Sequence, residues 1–301
     1  MAVVVVGNAV LDIGYEVERL PRPGETVLAR ERTVDVGGKG LNQAIMAHRA
    51  GAEVRFCAGL GRDPAADVIR ARLEAEGLST AWLISVLCAT DESIVFLARS
   101  GENCIVSTDE AARYLTPAHV ANLLAAMTSG DVLLLQGNLS RDTTGTALAR
   151  GRVAGAATIL NPAPIAFDYT GLWPLVDIAI LNGIEAQTLT GGLASDAAAA
   201  ALRSLGACKV VLTLGSQGAL VWDGAQPQHV PAAAVTAIDT TGAGDVLAGV
   251  VAAAVHSGLP LLPAVRWAVA AASRKVMRRG TSSGFPSRDE LAALARAMDL
   301  P

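Results

Sequence analysis

DTTGAGD, residues 239–245, stands immediately ahead of the apolar run VLAGVVAAAV. Its aspartates and glycines offer two chemistries at one helix entrance. The Asp245 carboxylate can accept a proton from an attacking hydroxyl. The backbone N–H groups of Gly242, Ala243 and Gly244, at the positive end of the following helix, can form a hole for a transferring anion. Glycine also lets the backbone approach a phosphate without side-chain obstruction. A turn closed by an aspartate cap uses the same residue types, so the segment needs support from the rest of the chain.

A second glycine-rich helix entrance lies in VGGKGLNQAIMAHRAGAEV, residues 36–54, where Lys39 is one of only three lysines in the chain. Exposed N–H groups at such an entrance bind anions or polar substrate groups. The segment is not a P-loop, because Thr33 stands where the first glycine is required and Gly40 where the hydroxyl residue is required. VVVVGNAVLD, near the start, also lacks the Gly-x-Gly-x-x-Gly of a dinucleotide site.

Elements that could position these entrances are legible from hydrophobic patterning. Nearly continuous apolar runs at 3–7, 53–59, 131–137, 157–161, 177–182 and 209–215 read as strands buried on both faces. Alanine-rich segments at about 40–50, 64–76, 116–128, 142–153, 184–190, 196–205, 243–257 and 261–278 read as helices between them. The alternation predicts an α/β fold with a doubly wound, mostly parallel sheet and helices on both faces. Residues 13–35 and 92–108 break the rhythm and read as added antiparallel strands, the second pair joined across Ser100-Gly101-Glu102. In such folds ligands bind beyond the carboxyl ends of the strands, where an appended sheet serves as a lid. An ordinary edge hairpin gives the same periodicity.

Composition narrows the function classes. A chain of 301 residues with 51% hydrophobic and 17% charged residues favours a globular fold. A formal charge of -4 gives no basic face for nucleic acid or a membrane surface, so a small-molecule partner is expected. Cys57, Cys88, Cys104 and Cys208 form no CxxC pair and read as buried free thiols in a reducing, cytoplasmic setting. His48, His119, His229 and His256 show no metal spacing, and the scattered tryptophans read as packing residues.

Taken in order, GGKGLNQA (37–44), GLGRD (59–63), NPAP (161–164), NGIE (182–185), TLGSQG (213–218) and DTTGAGD (239–245) resemble the ribokinase-like, or pfkB, family of sugar and nucleoside kinases. The resemblance covers nearly the whole chain as one ribokinase-like domain, 1–301. It implies transfer of the ATP γ-phosphoryl group to a hydroxyl, with Asp245 as base. It further implies ATP binding by Thr213, Leu214, Gly215, Ser216, Gln217, Gly218 and Gly244, and Mg²⁺ organised through water by Asn182 and Glu185. Spaced three apart at a helix start, those two share a face, and Asn182 could equally be a helix cap. Asp239 and Thr241, with positions Lys275, Arg278, Gly280 and Gly284, would hold an activating monovalent cation, usually K⁺.

For the substrate, the matching positions are Asp12, Gly38, Lys39, Gly40 and Asn42. Two departures bear on which sugar fits: Val10 and Asn138 stand where ribokinases carry an amide and a glutamate. Unpaired buried polar groups are penalised, so these changes alter which hydroxyls are satisfied. A third departure, Val269, replaces a histidine that ribokinases often place near adenine. Ribose is therefore one candidate among pentoses and ketoses. A nucleoside, its base against lid residues such as Ile94, Phe96 and Ile105, is the rival substrate. A catalytically silent sugar-binding protein is the rival of another class, and a homodimer through the lid is expected by resemblance.

Overall fold

The computed structural model describes residues 1–100, 102–224 and 226–300. Its centre is an eight-stranded sheet in the order 228–230, 219–222, 209–213, 178–182, 157–161, 132–136, 3–6, 54–57. The last six of these run parallel to one another; the first two are antiparallel. The strand alternation explains why these runs are apolar on both faces. Val3 and Val5 enter one core while Val4 and Val6 enter the other, and Ile159 and Leu160 divide the same way. Helices Lys39–Arg49, Pro64–Ala75, Ala243–His256 and Leu261–Lys275 cover the first face. Helices Pro117–Leu123, Arg141–Ala154 and Ser195–Ser204 cover the second.

A separate four-stranded sheet, ordered Glu31–Gly37, Val10–Val17, Glu92–Ala98, Asn103–Ser107, is built from the two irregular regions. Its central pair, Val10–Val17 with Glu92–Ala98, is parallel rather than antiparallel as expected. Only the outer pairs are antiparallel. Residues 18–30, expected within a strand region, are turn and irregular structure. Of the expected junction Ser100-Gly101-Glu102, Gly101 lies outside the described residues.

One close approach fixes the geometry of the first core. Gly249 faces the helix Lys39–Arg49 so tightly that an added Cβ would lie 2.6 Å from the Gln43 carbonyl oxygen, 2.7 Å from Met46 Cβ and 3.0 Å from Ala47 N. Asp245 lies one turn earlier, so the same contact presents Asp245 to Asn42 and Gln43. The two helices are thus held at a separation set by a missing side chain.

Gly249→Ala should cost about 1–3 kcal/mol of unfolding free energy by overpacking, read as a lowered urea midpoint. Gly244→Ala, whose added Cβ meets nothing within 4 Å, is the control and should stay within about 0.5 kcal/mol of the parent. An unshifted midpoint for Gly249→Ala would show that the contact does not set the spacing.

Candidate active site

The polar residues collect at the carboxyl ends of successive parallel strands: Asn8 after Val3–Val6, Gln136 and Asn138 around the end of Val132–Gln136, then Asn161, Asn182 and Thr213. Asp245 is 5% exposed and sits above this row. Asn42 Nδ2 donates to its Oδ2 at 3.1 Å and Gln43 Nε2 donates to its Oδ1 at 3.0 Å. Lys39 Nζ lies 3.7 Å from Oδ1. The amides are themselves held. Gln43 Nε2 also donates to Asn161 Oδ1, Gln136 Nε2 donates to Gln43 Oε1 at 2.8 Å, and Asn161 Nδ2 donates to the Ile180 carbonyl. Buried polar groups joined in this way hold one geometry, because breaking any link leaves a partner unsatisfied.

The helix entrance carrying Lys39 is seated by Asn8. Gly40 N donates to Asn8 Oδ1 and Leu41 N to the Asn8 carbonyl. Gly38, at φ 94°, and Gly40 pass so close to the backbone of residues 7–9 that neither position has room for a side chain.

On the other side of Asp245 the helix Ala243–His256 opens with Gly242 at φ 79°. The Ala243 N–H donates to the Thr240 carbonyl, whereas those of Gly242 and Gly244 have no partner among the described residues. An adjoining cavity is lined by Ala243 and Gly244, by Thr213, Gly215, Ser216 and Gly218 of the turn after Lys209–Thr213, and by apolar residues including Val235, Leu247 and Val269. It joins a polar, anion-accepting end to an apolar wall suited to a flat ring. Asn182 and Glu185 form a reciprocal capping box: Glu185 N donates to Asn182 Oδ1 and Asn182 N donates to Glu185 Oε2. Glu185 Oε1 has no hydrogen-bond partner among the described residues.

Toward the small sheet, Asp12 lies opposite Asp35 and Ser93 in the strand register. Its carboxylate crosses the bare face of Gly37, where a Cβ would collide with it. Burial, with the nearby charges of Asp35 and Asp245 in the same sense, pushes Asp12 up to about 6 against the hydrogen bond from Ser93. Three further features lie among the expected substrate positions: Asn42 Oδ1 and Asn138 Oδ1 are buried acceptors without a donor among the described residues, and Val10 is a buried apolar side chain two residues from Asp12 on the same strand face.

Comparison with known proteins decides the family. The pfkB family carbohydrate kinase pattern matches residues 2–288. The chain belongs to the pfkB family of carbohydrate kinases. It is 32% identical to the ribokinase of Mus musculus over 301 aligned residues, covering 96% of this chain and 93% of that one. The crystal structure of Thermotoga maritima ribokinase superposes with a TM-score of 0.90 at 30% identity, covering 98% of this chain and 100% of that one. Arabidopsis thaliana ribokinase, solved with ribose and ATP, superposes with a TM-score of 0.86 at 29% identity, covering 98% of this chain and 99% of that one.

The fold thus brings most of the pfkB motif residues together, with several adjustments. Leu214 packs against the second core, and neither Leu214 nor Gln217 is among the residues lining the nucleotide-side cavity. The Ala243 N–H is spent on the turn and contributes no free donor. Register separates the expected lid residues: Ile105 pairs with Val95 on the Asp12 face, while Ile94 and Phe96 alternate to the opposite face. The expected monovalent-cation set gathers around Asp239, but with a fixed cation among it. Lys275 Nζ donates to the Asp239 carbonyl at 2.9 Å and lies 3.4 Å from Oδ2. Arg278 turns its guanidinium to Glu290 instead. Burial draws Lys275 below its ordinary value against the pull of Asp239. Burial raises Asp239, but the Thr241 bonds and the ammonium outweigh it and hold the carboxyl below the usual range.

Asn8, Gln43, Gln136 and Asn161 carry the site without having been singled out in the sequence. Gln43 and Asn161 lie inside motifs quoted above, so position within a motif was the available signal.

A folded-state value near 6 for Asp12, against 3.8 for the unconstrained group, has a definite sign. Between those values the folded chain binds more protons than the unfolded one, so this group's contribution is fully present at low pH and is lost as pH rises through about 6. Asp12→Asn should therefore gain in Tm over the parent as pH is raised from 4 to 7.5. A Tm difference independent of pH would contradict the assignment.

Proposed function

We propose that the protein transfers the γ-phosphoryl group of ATP to a hydroxyl of a ribose-type pentose, with Asp245 as general base. The observation that carries this reading is the position of Asp245: a buried carboxylate between an open helix N-terminus and a set of unpartnered hydroxyl acceptors. A sugar hydroxyl attacks the γ-phosphorus, forming the sugar oxygen–phosphorus bond as the bridging bond to ADP breaks. Its proton passes to Asp245. The Gly242 and Gly244 N–H groups and the Lys39 ammonium take up charge on the transferring group. Asp12, Asn42 Oδ1 and Asn138 Oδ1 accept hydrogen bonds from the other hydroxyls. The adenine lies in the cavity walled by Val235, Leu247 and Val269.

Among the described residues no group of three or more His, Cys, Asp and Glu side chains could hold a metal. This suits Mg²⁺, which keeps its waters and binds through phosphates with one or two carboxylates. Glu185 and Asn182 would orient its waters, and the ion would neutralise phosphate charge. The small sheet acts as a lid over the sugar. Its outer strand Asn103–Ser107 is exposed throughout, and Ile105 and Val106 form an apolar edge suited to a second copy. No helix among the described residues is long and apolar enough to cross a membrane; use of ATP supports a cytoplasmic reading, and of the four thiols expected to be buried Cys57 is buried, Cys88 is half-buried and Cys104 and Cys208 are exposed. A nucleoside acceptor is the second reading, favoured by apolar Val95 and Ile105 on the Asp12 face.

ADP release measured across ribose, other pentoses, ketohexoses and nucleosides, with ³¹P NMR of the product, tests this reading. A free pentose should give the highest kcat/KM. Preference for a nucleoside would overturn the substrate assignment, and no sugar-dependent ADP release on any acceptor would overturn the kinase reading.

A further inference from the structure

Lys275 ends the helix Leu261–Lys275, and its side chain is 0% exposed. Long cationic side chains normally extend their charge to water. This one points inward, to the junction of the two loops that shape the anion-binding end. Asp239 ties those loops together. Its Oδ1 accepts from the Thr241 N–H at 2.9 Å, its Oδ2 accepts from the Gly280 N–H at 3.0 Å, and its own N–H donates to the Val276 carbonyl. Lys275 Nζ adds a bond to the Asp239 carbonyl at 2.9 Å and an ion pair to Oδ2 at 3.4 Å. From Thr241 the backbone runs directly into Gly242 and the open N–H groups.

The Asp239 carboxylate and the Lys275 carbonyl, two members of the expected ligand set, are already engaged. A carboxylate offers about four acceptor sites, and three contacts on Asp239 are already occupied, one by a full positive charge. The Lys275 carbonyl, another expected ligand, accepts from the Arg278 N–H at 2.9 Å. An alkali ion added at this carboxylate would face a fixed ammonium across it. The ammonium has the same charge as an alkali ion and bonds the same class of oxygen. It differs in being covalently tethered.

We propose that the Lys275 ammonium is a built-in monovalent cation, a positioning group that holds residues 239–244 in their phosphate-binding shape so that no alkali ion is needed. The inference rests on the kinase reading for its catalytic consequence, but its structural half does not.

The test compares the full-length protein and Lys275→Ala at constant ionic strength in K⁺, Na⁺ or tetramethylammonium salts, with Mg-ATP and the best pentose. The parent should show rates within about 2-fold across the three salts. Lys275→Ala should lose at least about 10-fold in tetramethylammonium and recover in a saturable way with K⁺ or NH₄⁺. Lys275→Gln, which keeps length and a neutral donor, should behave alike. Thermal melts without nucleotide or sugar read the same site independently of turnover. The parent Tm should be indifferent to K⁺, and that of Lys275→Ala should rise with it. A parent strongly activated or stabilised by K⁺ would overturn the proposal even where the variants fail to fold. So would variants that are fully active without alkali ions, or that no cation restores. If no acceptor is phosphorylated, the kinase reading fails and the melts still decide the role of Lys275.

Discussion

The close contact of Gly249 with the helix Lys39–Arg49 is the constraint on which the rest of the site depends. It places two amides, Asn42 and Gln43, on a carboxylate one turn away. The Gln136–Gln43–Asn161 chain then fixes those amides to the sheet. The carboxylate is thereby aimed by neutral donors, which orient it without saturating it with fixed positive charge. Among the described residues the cation paired with it is Lys39 at 3.7 Å, whose side chain is 35% exposed. Catalysis by proton acceptance requires a base that is held and still open on one side, and this arrangement supplies both.

The two ends of the site differ in how they are preorganised. On the proposed reading the phosphate end is backbone: Gly242 in the left-handed region, N–H groups open among the described residues, and the Asp239 junction beside them. Backbone geometry is insensitive to the acceptor, which suits a reaction centre shared by a family with varied substrates. The sugar end is side chain: Asp12 in a burial that disfavours its charge, unpartnered amide oxygens of Asn42 and Asn138, and apolar Val10. On the proposed reading, a sugar that satisfies those acceptors would remove a cost the unfilled acceptors carry, and discrimination among acceptors would reside there.

The parallel sheet was legible because strands buried on both faces leave no polar alternation to confuse them. All six apolar runs became strands within a few residues. The strands Ala219–Trp222 and Gln228–Val230 were missed because they are short and follow glycine- and proline-rich turns. The helix Arg288–Ala297 was missed although the Ser287–Glu290 capping box and the i,i+4 pair Leu291 and Ala295 on its buried face both mark it. The motif glycines and Asp245 were legible through their spacing. Gln43, Gln136 and Asn161 were not, since their bonds span 93 to 202 positions and amides leave no periodic trace. The Asp239 cluster was expected, by resemblance, to hold an alkali ion. That the Lys275 ammonium reaches Asp239 followed only from the side chain's direction, which helix-end sequence does not specify.

The account turns on Asp245 acting as base without serving as the main anchor for either substrate. Asp245→Asn preserves shape and most hydrogen bonding while removing the proton acceptor. The decisive measurement is its kcat alongside calorimetric binding of sugar and of ATP. The account predicts a fall in kcat on the order of 10³-fold, with both dissociation constants within about 3-fold of the parent. Turnover within about 10-fold of the parent, or loss of sugar binding as the main effect, would contradict it.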